Sequence, residues 1–283
     1  MDNSKAKSLF RKWFSRGRPL AVAAVALLTL AWAPPPARGD EAAPLKDGWD
    51  VTIGGGGGYT PEYEGGRHRH FEPLPYFDIT WYDANGRART FLNVDDGLGI
   101  DLVSTTAFKL GPLLTWRPGR QESDSSELRG LGNAHDSFQA GGILEYDPGE
   151  CCSAFLKVRR DLNSDRGLFV DLGGEAIAPI APRHWFVDVR LVTTWANARG
   201  LQPLFGITQA QSANSGLSAY APSSGFRDVT AQPTLIYDFD GHWALAARLT
   251  YERLLDKAAD SPLIRTRGDA DQFSYELQLS YHF

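Results

Sequence analysis

The sequence predicts an all-β protein, a transmembrane antiparallel up-and-down β-barrel of about twelve strands, with about ten as the alternative. Three observations predict this fold. Strand-length segments separated by turn residues repeat from residue 47 to the end, the final segment alternates strictly between apolar and polar residues, and residues 40–283 contain no apolar run of helix-spanning length. Such a chain must close its sheet in a membrane, because lipid cannot pair the backbone groups of an open edge.

The final strand has the clearest pattern. Its odd-numbered residues are apolar and its even-numbered residues are polar, so the two sets face opposite sides of an extended chain. The terminal Tyr281-His282-Phe283 is similar to the signal that bacterial barrel-assembly machinery reads, which predicts Tyr281 and Phe283 as an assembly signal. An amphipathic strand of an ordinary β-sandwich is the alternative. The apolar set is Phe273, Tyr275, Leu277, Leu279, Tyr281 and Phe283.

The N-terminal segment predicts export. Basic residues precede an apolar stretch from Leu20 to Ala33, which is too short and too strongly flanked by positive charge to span a membrane. This is the pattern of a secretory signal peptide, and Ala37-Arg38-Gly39 favours cleavage after Gly39. We therefore expect residues 1–39 to be a signal peptide and residues 40–283 to be an outer-membrane β-barrel domain of a Gram-negative bacterium.

The predicted mature chain is acidic. Without residues 1–39 it carries 22 Lys and Arg against 33 Asp and Glu. Such a chain is a poor nucleic-acid binder, because phosphate contacts need clustered basic side chains. We therefore expect no nucleic-acid partner, and if the barrel is a channel, its charge predicts a mild preference for cations.

Turn residues divide the mature chain into the predicted strands. Asp83-Ala84-Asn85-Gly86 and Asp240-Gly241 predict tight hairpins, which lie in the periplasm together with both termini if the strand number is even. The longer connections 60–69, 212–226 and 255–270 then lie outside. The predicted strands are near 48–59, 70–82, 88–100, 105–117, 135–147, 151–161, 167–179, 184–196, 202–211, 227–239, 242–254 and 271–283.

The connection from Arg117 to Ala134 is long, polar and rich in glycine. The strand count places it in the periplasm, where most barrels have short turns. A long periplasmic loop predicts a site for a protein partner, and an error in the strand count that moves the loop outside is the alternative. The candidate contact residues are Arg117, Arg120, Leu128, Arg129, Gly130 and Leu131.

Charged residues of both signs occupy the polar face of the alternating strands. Inside a barrel they avoid lipid, and they either form ion pairs that fill a narrow lumen or line a water-filled one. The sequence leaves both arrangements open. The predicted lumen-facing residues are Asp171, Glu175, Asp188, Arg190, Arg248 and Glu252.

Several segments, in a fixed order from about Trp49 to Phe283, resemble the MltA-interacting protein (MipA/OmpV) family of outer-membrane proteins. Two departures are Asn133, where an Asp is expected, and the pair Cys151-Cys152. The matching segments are Gly57-Gly58-Tyr59-Thr60-Pro61-Glu62-Tyr63-Glu64-Gly65, Pro73-Leu74-Pro75, Gly111-Pro112, Gly119-Arg120, Leu128-Arg129-Gly130-Leu131-Gly132, Phe205-Gly206-Ile207-Thr208, Ser215-Gly216-Leu217, Tyr220, Tyr251-Glu252-Arg253-Leu254-Leu255 and Asp260-Ser261-Pro262-Leu263.

The resemblance implies a non-enzymatic barrel without a cofactor. It implies a scaffold that brings a lytic transglycosylase together with a penicillin-binding murein synthase, or, as in other members, a porin-like channel for small solutes. We keep both as function hypotheses, from different classes.

Chemical motifs add little to these hypotheses. The six histidines are scattered, and no Gly-x-Ser-x-Gly elbow or metalloprotease helix motif is present. The stretch from Arg67 to His70 predicts a solvated loop, a contact with lipopolysaccharide phosphates, or a weak metal pair. Cys151 and Cys152 are two small residues at a strand start, an oxidised pair, or a metal or redox site.

Overall fold

The computed structural model describes residues 47–149, 151–163, 166–180 and 184–283. The predicted signal peptide lies outside these residues. The described residues form thirteen strands and, in two of the long connections, four short helices. The strands are β1 (Gly48–Pro61), β2 (Arg69–Tyr82), β3 (Ala88–Asn93), β4 (Gly97–Ile100), β5 (Val103–Ser104), β6 (Phe108–Arg117), β7 (Ser137–Gly149), β8 (Cys152–Asp161), β9 (Leu168–Ile180), β10 (Trp185–Ala196), β11 (Gly225–Asp238), β12 (Trp243–Leu254) and β13 (Asp271–His282). The helices are α1 (Ala198–Phe205), α2 (Gln209–Ser215), α3 (Asp256–Ala259) and α4 (Pro262–Arg267).

The strands close into one antiparallel barrel. β1 pairs with both β2 and β13, and β4 pairs with β6 to join the two ends of the sheet. β4 places Gly99 opposite Leu113 of β6, whereas β5 places Val103 opposite Leu110 of the same strand. The register therefore shifts by one residue, so β4 and β5 together occupy one position in the wall, separated by a bulge. The result is a twelve-stranded barrel with one extra short strand, which confirms the predicted fold.

Two of the predicted strands were wrong. One of them is in fact two strands and the other is not a strand, so the total number of strands is unchanged. Residues 88–100 are not one strand but the hairpin β3–β4, whose turn is followed by Gly97 at a φ of +89°. Residues 202–211 lie in α1 and α2 and the turn between them rather than in a strand. Local caps start these helices: the side chain of Asn197 accepts from the Gly200 amide, and Thr208 and Gln211 form a capping box.

The strand register separates two ends of the barrel. Gly48 lies opposite Tyr82 and Thr52 lies opposite His282, so both ends of the described chain share one end with the tight turns, which we call the turn end. Connections 62–68, 118–136, 197–224 and 255–270 lie at the other end, the loop end. The expectation that the 117–134 connection shares the periplasmic end with the tight turns is therefore wrong. It followed from merging β3 and β4.

Apolar side chains cover the outer face. The inward residues alternate with them along each strand, as expected of a wall between lipid and lumen. No helix in the described part of the chain is long and apolar enough to span a membrane. Exposed aromatic residues mark both rims, as in membrane interfaces. At the loop end they are Tyr59, Phe71, Trp116, Phe138, Phe226 and Phe273, and at the turn end Trp49, Trp81, Phe108, Tyr146, Trp243 and Phe283.

The main apolar core lies at the loop end rather than inside the barrel. Side chains from all four long connections bury one another there, and we call this assembly the cap. Its fully buried members include Leu128, Leu201 and Leu263, which belong to three different connections. The cap therefore fixes the loops relative to one another by hydrophobic burial.

Candidate functional site: the lumen and its loop-end chamber

The turn between β3 and β4 points into the barrel and crosses the lumen. The Asp96 carboxylate contacts Nη2 of Arg190 on β10 at 3.2 Å and also pairs with the ammonium of Lys157 on β8. The neighbouring Asp95 carboxylate lies 3.1 Å from Nη1 of Arg248 on β12. Three strands on other parts of the wall therefore hold this one turn, and we call the five residues the crossing network.

Local chemistry shapes the turn that carries the two aspartates. The Asn93 side-chain oxygen accepts a hydrogen bond from the Asp96 amide, three residues further on, at 2.7 Å, and this bond closes the turn. Gly97 follows at positive φ, where a side chain would also meet the backbone of Leu114. The sequence Asn93-Val94-Asp95-Asp96-Gly97 carries these turn signals, which the strand prediction over 88–100 missed.

A second set of ion pairs lines the wall nearer the loop end. The guanidinium of Arg159 donates to both carboxylate oxygens of Asp171, at 2.7 and 2.8 Å. The Asp161 carboxylate accepts from the Gln139 amide at 2.9 Å and lies 3.3 Å from Nη2 of Arg117. Buried charges in this part of the lumen are thus mostly paired, as low polarity requires.

The structure places the six sequence-predicted charged residues on the inward face. Asp171, Glu175, Asp188 and Arg190 are buried, while Arg248 and Glu252 are half-buried. Sequence reasoning missed Asp95, Asp96 and Lys157, although Lys157 shares the inward face of β8 with Arg159 and Asp161. The period-2 pattern of β8 could have identified it.

A chamber of about 890 Å³ lies between the crossing network and the cap. Inward residues from β2, β6, β8, β9 and β11–β13 line it, together with residues from the loops at its top. Its lining mixes aromatic, acidic and basic side chains, including Phe169, Glu72, Glu252, Arg117, Arg120 and Arg227.

Acidic groups at one side of the chamber form ion pairs with a neighbouring arginine. Carboxylate oxygens of Glu64, Asp228 and Glu252 lie within 4.8 Å of one another, a spacing that could hold a metal ion. Arg227 lies 3.4 Å from Glu64 and also pairs with Asp228. Because the guanidinium supplies the positive charge, we assign no metal to this cluster.

Arg120 differs from the other basic residues of the chamber. Its side chain is 5% exposed, and it makes no ion pair within 4.0 Å among the described residues. Nη1 donates to the Leu204 carbonyl oxygen, and Nε has no hydrogen-bond partner in the described part of the chain. Burial lowers the pKa of this guanidinium from its usual value. Arg120 is therefore a buried cation with no ion pair within 4.0 Å in the described part of the chain, although the more distant charge of Glu64 favours its charged form.

The 118–136 connection is part of the cap. Leu128 and Leu131 are buried in its core, and Arg117 and Arg120 point to the chamber. Two short 3-10 turns, Glu122–Asp124 and Ser126–Leu128, shape the segment. Of the predicted contact residues only Arg129 is exposed, while Gly130 lies at positive φ against the backbone of Asn214.

A family model described as MltA-interacting protein MipA matches residues 53–283. The chain belongs to this MipA family. The membership confirms the resemblance, and together with the barrel it places the protein in the outer membrane of a Gram-negative bacterium. A comparison with curated protein sequences finds no match.

This MipA-family chain is also similar to several solved structures. A bacterial polysaccharide outer membrane secretin is 12% identical, with 84% of this chain and 99% of that chain covered and a TM-score of 0.42. The KdgM porin is 10% identical, with 82% and 99% covered and a TM-score of 0.41. The outer membrane channel DcaP of Acinetobacter baumannii is 10% identical, with 83% and 96% covered and a TM-score of 0.38.

The remaining predicted features of this MipA-family chain lie at the rims. Tyr281 and Phe283 stand next to each other on the outer face at the turn end, with ring centroids 4.9 Å apart. Cys151 and Cys152 are exposed free thiols at a turn-end hairpin. His68 and His70 each approach a glutamate, at 3.9 Å, and form no metal cluster among the described residues.

Proposed function

We propose that this protein is a non-enzymatic outer-membrane scaffold that binds murein-remodelling enzymes at its turn end. The observation that carries the proposal is the crossing network, since a turn held across the lumen by three strands is a poor path for hydrated solutes. A barrel whose lumen is crossed in this way favours binding at a surface over passage of solutes.

The crossing network resists opening for a physical reason. Moving Asp95 and Asp96 out of the lumen would remove from the buried Lys157 and Arg190 the carboxylates that they contact there. Breaking a buried ion pair by removing one partner costs about 3–5 kcal/mol. Spontaneous opening is therefore rare under ordinary conditions.

The turn end is the proposed docking face. Both ends of the described chain lie there, as expected for the periplasmic side of a barrel exported by a signal peptide. The 118–136 connection, the contact site that the sequence predicted, lies at the other end and is mostly buried. Docking in the periplasm therefore uses the hairpins around 83–87, 105–107 and 239–242.

The partner class comes from the family. Its description as MltA-interacting supports a lytic transglycosylase as one partner. A penicillin-binding murein synthase is the second partner that the resemblance implies. Barrel-assembly machinery and lipopolysaccharide are further expected contacts, at β13 and at the loop end respectively.

Surface plasmon resonance with the purified barrel tests this function. We expect lytic transglycosylase and murein synthase from the same host to bind the immobilised protein. Arg87→Glu, at an exposed position of a turn-end hairpin, should weaken binding, whereas Arg129→Glu at the loop end should not. No binding by either enzyme, or equal weakening by both variants, would contradict the proposal.

A channel for small solutes with mild cation preference is the second candidate. The chamber favours it, because an internal space lined by both charge signs is a feature of solute pathways. Planar-bilayer recordings decide between the two functions. Single-channel steps from the wild type would support the channel, and steps that appear only in Asp96→Asn would support a lumen closed by the crossing network.

A further inference from the structure

The barrel wall is incomplete on one side of the chamber. β3 pairs with β2 only between Asp78 and Tyr82, while β2 continues to Arg69 at the loop end. Residues 69–77 therefore pair with β1 on one edge and, among the described residues, with no strand on the other. Pro73 and Pro75, which lack an amide donor, stand in this stretch, as expected of a free strand edge.

The opposite border of this gap is β6. Its last residue paired with β4 is Leu114, so residues 115–117 have no strand partner on that edge in the part of the chain that the structure describes. The pairings of β3 and β4 end below this height, so the wall between β2 and β6 lacks both strands here. The β3–β4 turn bounds the gap below. The 118–136 connection bounds it above, where Glu127 lies 3.9 Å from His68. We call this gap the lateral window.

The lateral window faces the outer half of the membrane. Phe71 on β2 and Trp116 on β6 belong to the loop-end aromatic rim and flank the window near its top. Aromatic rims mark the boundary between lipid and water. The window therefore lies below the outer boundary, within the apolar band.

The chamber reaches the lateral window. Its lining includes His70 and Glu72 from the β2 border and Trp116 and Arg117 from the β6 border. Trp116 has its side chain on the outer face and is half-exposed, so one wall of the chamber continues onto the lipid-facing surface. A molecule in the membrane can thus approach the chamber without passing through the cap or the crossing network.

The chamber also holds spare positive hydrogen-bond donors. Arg120 has no ion pair among the described residues, and its Nε is unpartnered. Arg117, which is 7% exposed, uses Nη2 for Asp161, and its Nε and Nη1 have no partner in the described part of the chain. Two buried guanidinium groups with unused donors match a carboxylate, which accepts paired hydrogen bonds from them.

We propose that the chamber binds the carboxylate of a long-chain, single-tailed amphiphile that enters from the outer half of the membrane through the lateral window. Arg120 and Arg117 bind the carboxylate. The alkyl tail extends past Trp116 into the lipid. The charged head gains a counter-charge in the chamber, while the tail never leaves an apolar environment. This site lies at the loop end and is independent of docking at the turn end.

Photo-crosslinking in phosphatidylcholine vesicles tests the proposal. The probe is hexadecanoate with a diazirine close to its carboxylate, and cross-linked peptides are mapped by mass spectrometry. We expect cross-links to chamber residues, competed by excess dodecanoate but not by butyrate or dodecanol. Arg120→Gln should lower the chamber yield about tenfold, as loss of a charge-assisted hydrogen bond predicts. Arg129→Gln, a matched change at an exposed position of the same connection, should leave it unchanged.

Three outcomes would overturn the proposal. Cross-links confined to the outer face would show ordinary contact with lipid. Equal competition by butyrate and dodecanoate would show that the chamber binds soluble anions. Entry through the lateral window would then play no part in binding. An unchanged cross-linking yield in Arg120→Gln would show that Arg120 does not bind the carboxylate. Arg120→Lys, which retains the charge, serves as the comparison, and protease resistance shows that each variant is folded.

Discussion

The crossing network and the cap bury their side chains equally well but hold the molecule together by different means. Asp96 in the lumen is 1% exposed and Leu201 in the cap is 0% exposed. The network depends on a few charged groups, each of which needs a partner at one position. The cap depends on many apolar side chains whose attraction has no direction. Loss of one group should therefore remove a counter-charge from buried ions in the lumen, whereas loss of one side chain from the cap leaves only a cavity.

The largest effect is expected from Asp96→Ala. It leaves the buried Lys157 and Arg190 short of a counter-charge, which costs about 3–5 kcal/mol. Urea unfolding in lipid vesicles measures this loss for the whole barrel. Asp47→Ala, at an exposed position near the start of β1, is the matched control and should change little. Equal midpoints for the two variants would show that the network does not stabilise the barrel.

Leu201→Ala tests the cap. Removal of this fully buried side chain should cost about 3 kcal/mol, since the site keeps a cavity. The loss should be local, because the strands have their own hydrogen-bond ladders. Amide hydrogen exchange should therefore accelerate in 118–136, 197–224 and 255–270 but not in β7 to β10. Acceleration in the strands as well would mean that cap and barrel unfold as one unit.

The two faces of β10 provide a third test, outside both regions. Val189 faces outward, so Val189→Arg places a charge in lipid at a cost of at least about 2 kcal/mol. The sequence alone suggests that neighbouring Arg190 tolerates Gln, but its contacts with Asp95 and Asp96 now predict a loss there too. The two losses differ in origin. Double-mutant cycles with Asp96→Ala should show coupling to Arg190→Gln and none to Val189→Arg.

The strands were predictable because the alternation of apolar and polar residues that specifies each strand lies within that strand. The alternation of β10 and β13 identifies their lipid and lumen faces without any knowledge of neighbours. The cap and the chamber were not predictable in the same way. Arg120 meets the carbonyl oxygen of Leu204, 84 residues away, and no pattern along the chain encodes that contact. The error over 202–211 has the same origin. Leu204 and Phe205 are apolar because they pack in the core of the cap, and not because they lie in a strand.

Phe283→Ser should affect assembly more than stability. Phe283 is exposed on the outer face beside Tyr281, so its removal from the folded barrel costs little buried contact. The strand it ends must pair with β1 to close the barrel, and the assembly signal acts before closure. Pulse-chase measurement of outer-membrane insertion should show slower accumulation with an unchanged urea midpoint. Insertion at the wild-type rate would remove Phe283 from the signal.

The smallest expected effect concerns Glu122 and pH. Its carboxylate accepts hydrogen bonds from the Gly130 and Gly132 amides, both at 2.8 Å, and these bonds hold its pKa below the usual 4.5. Because the folded pKa is the lower one, the stabilisation is present above 4.5 and is lost as the pH falls through the folded value. Exchange of the two glycine amides should therefore be faster in Glu122→Gln than in the wild type at pH 6, and the ratio should fall towards one as the pH falls through the lowered pKa of Glu122. A ratio that stays constant with pH would mean that these two bonds do not depend on the charge of Glu122, and that the cap holds this segment by apolar packing alone.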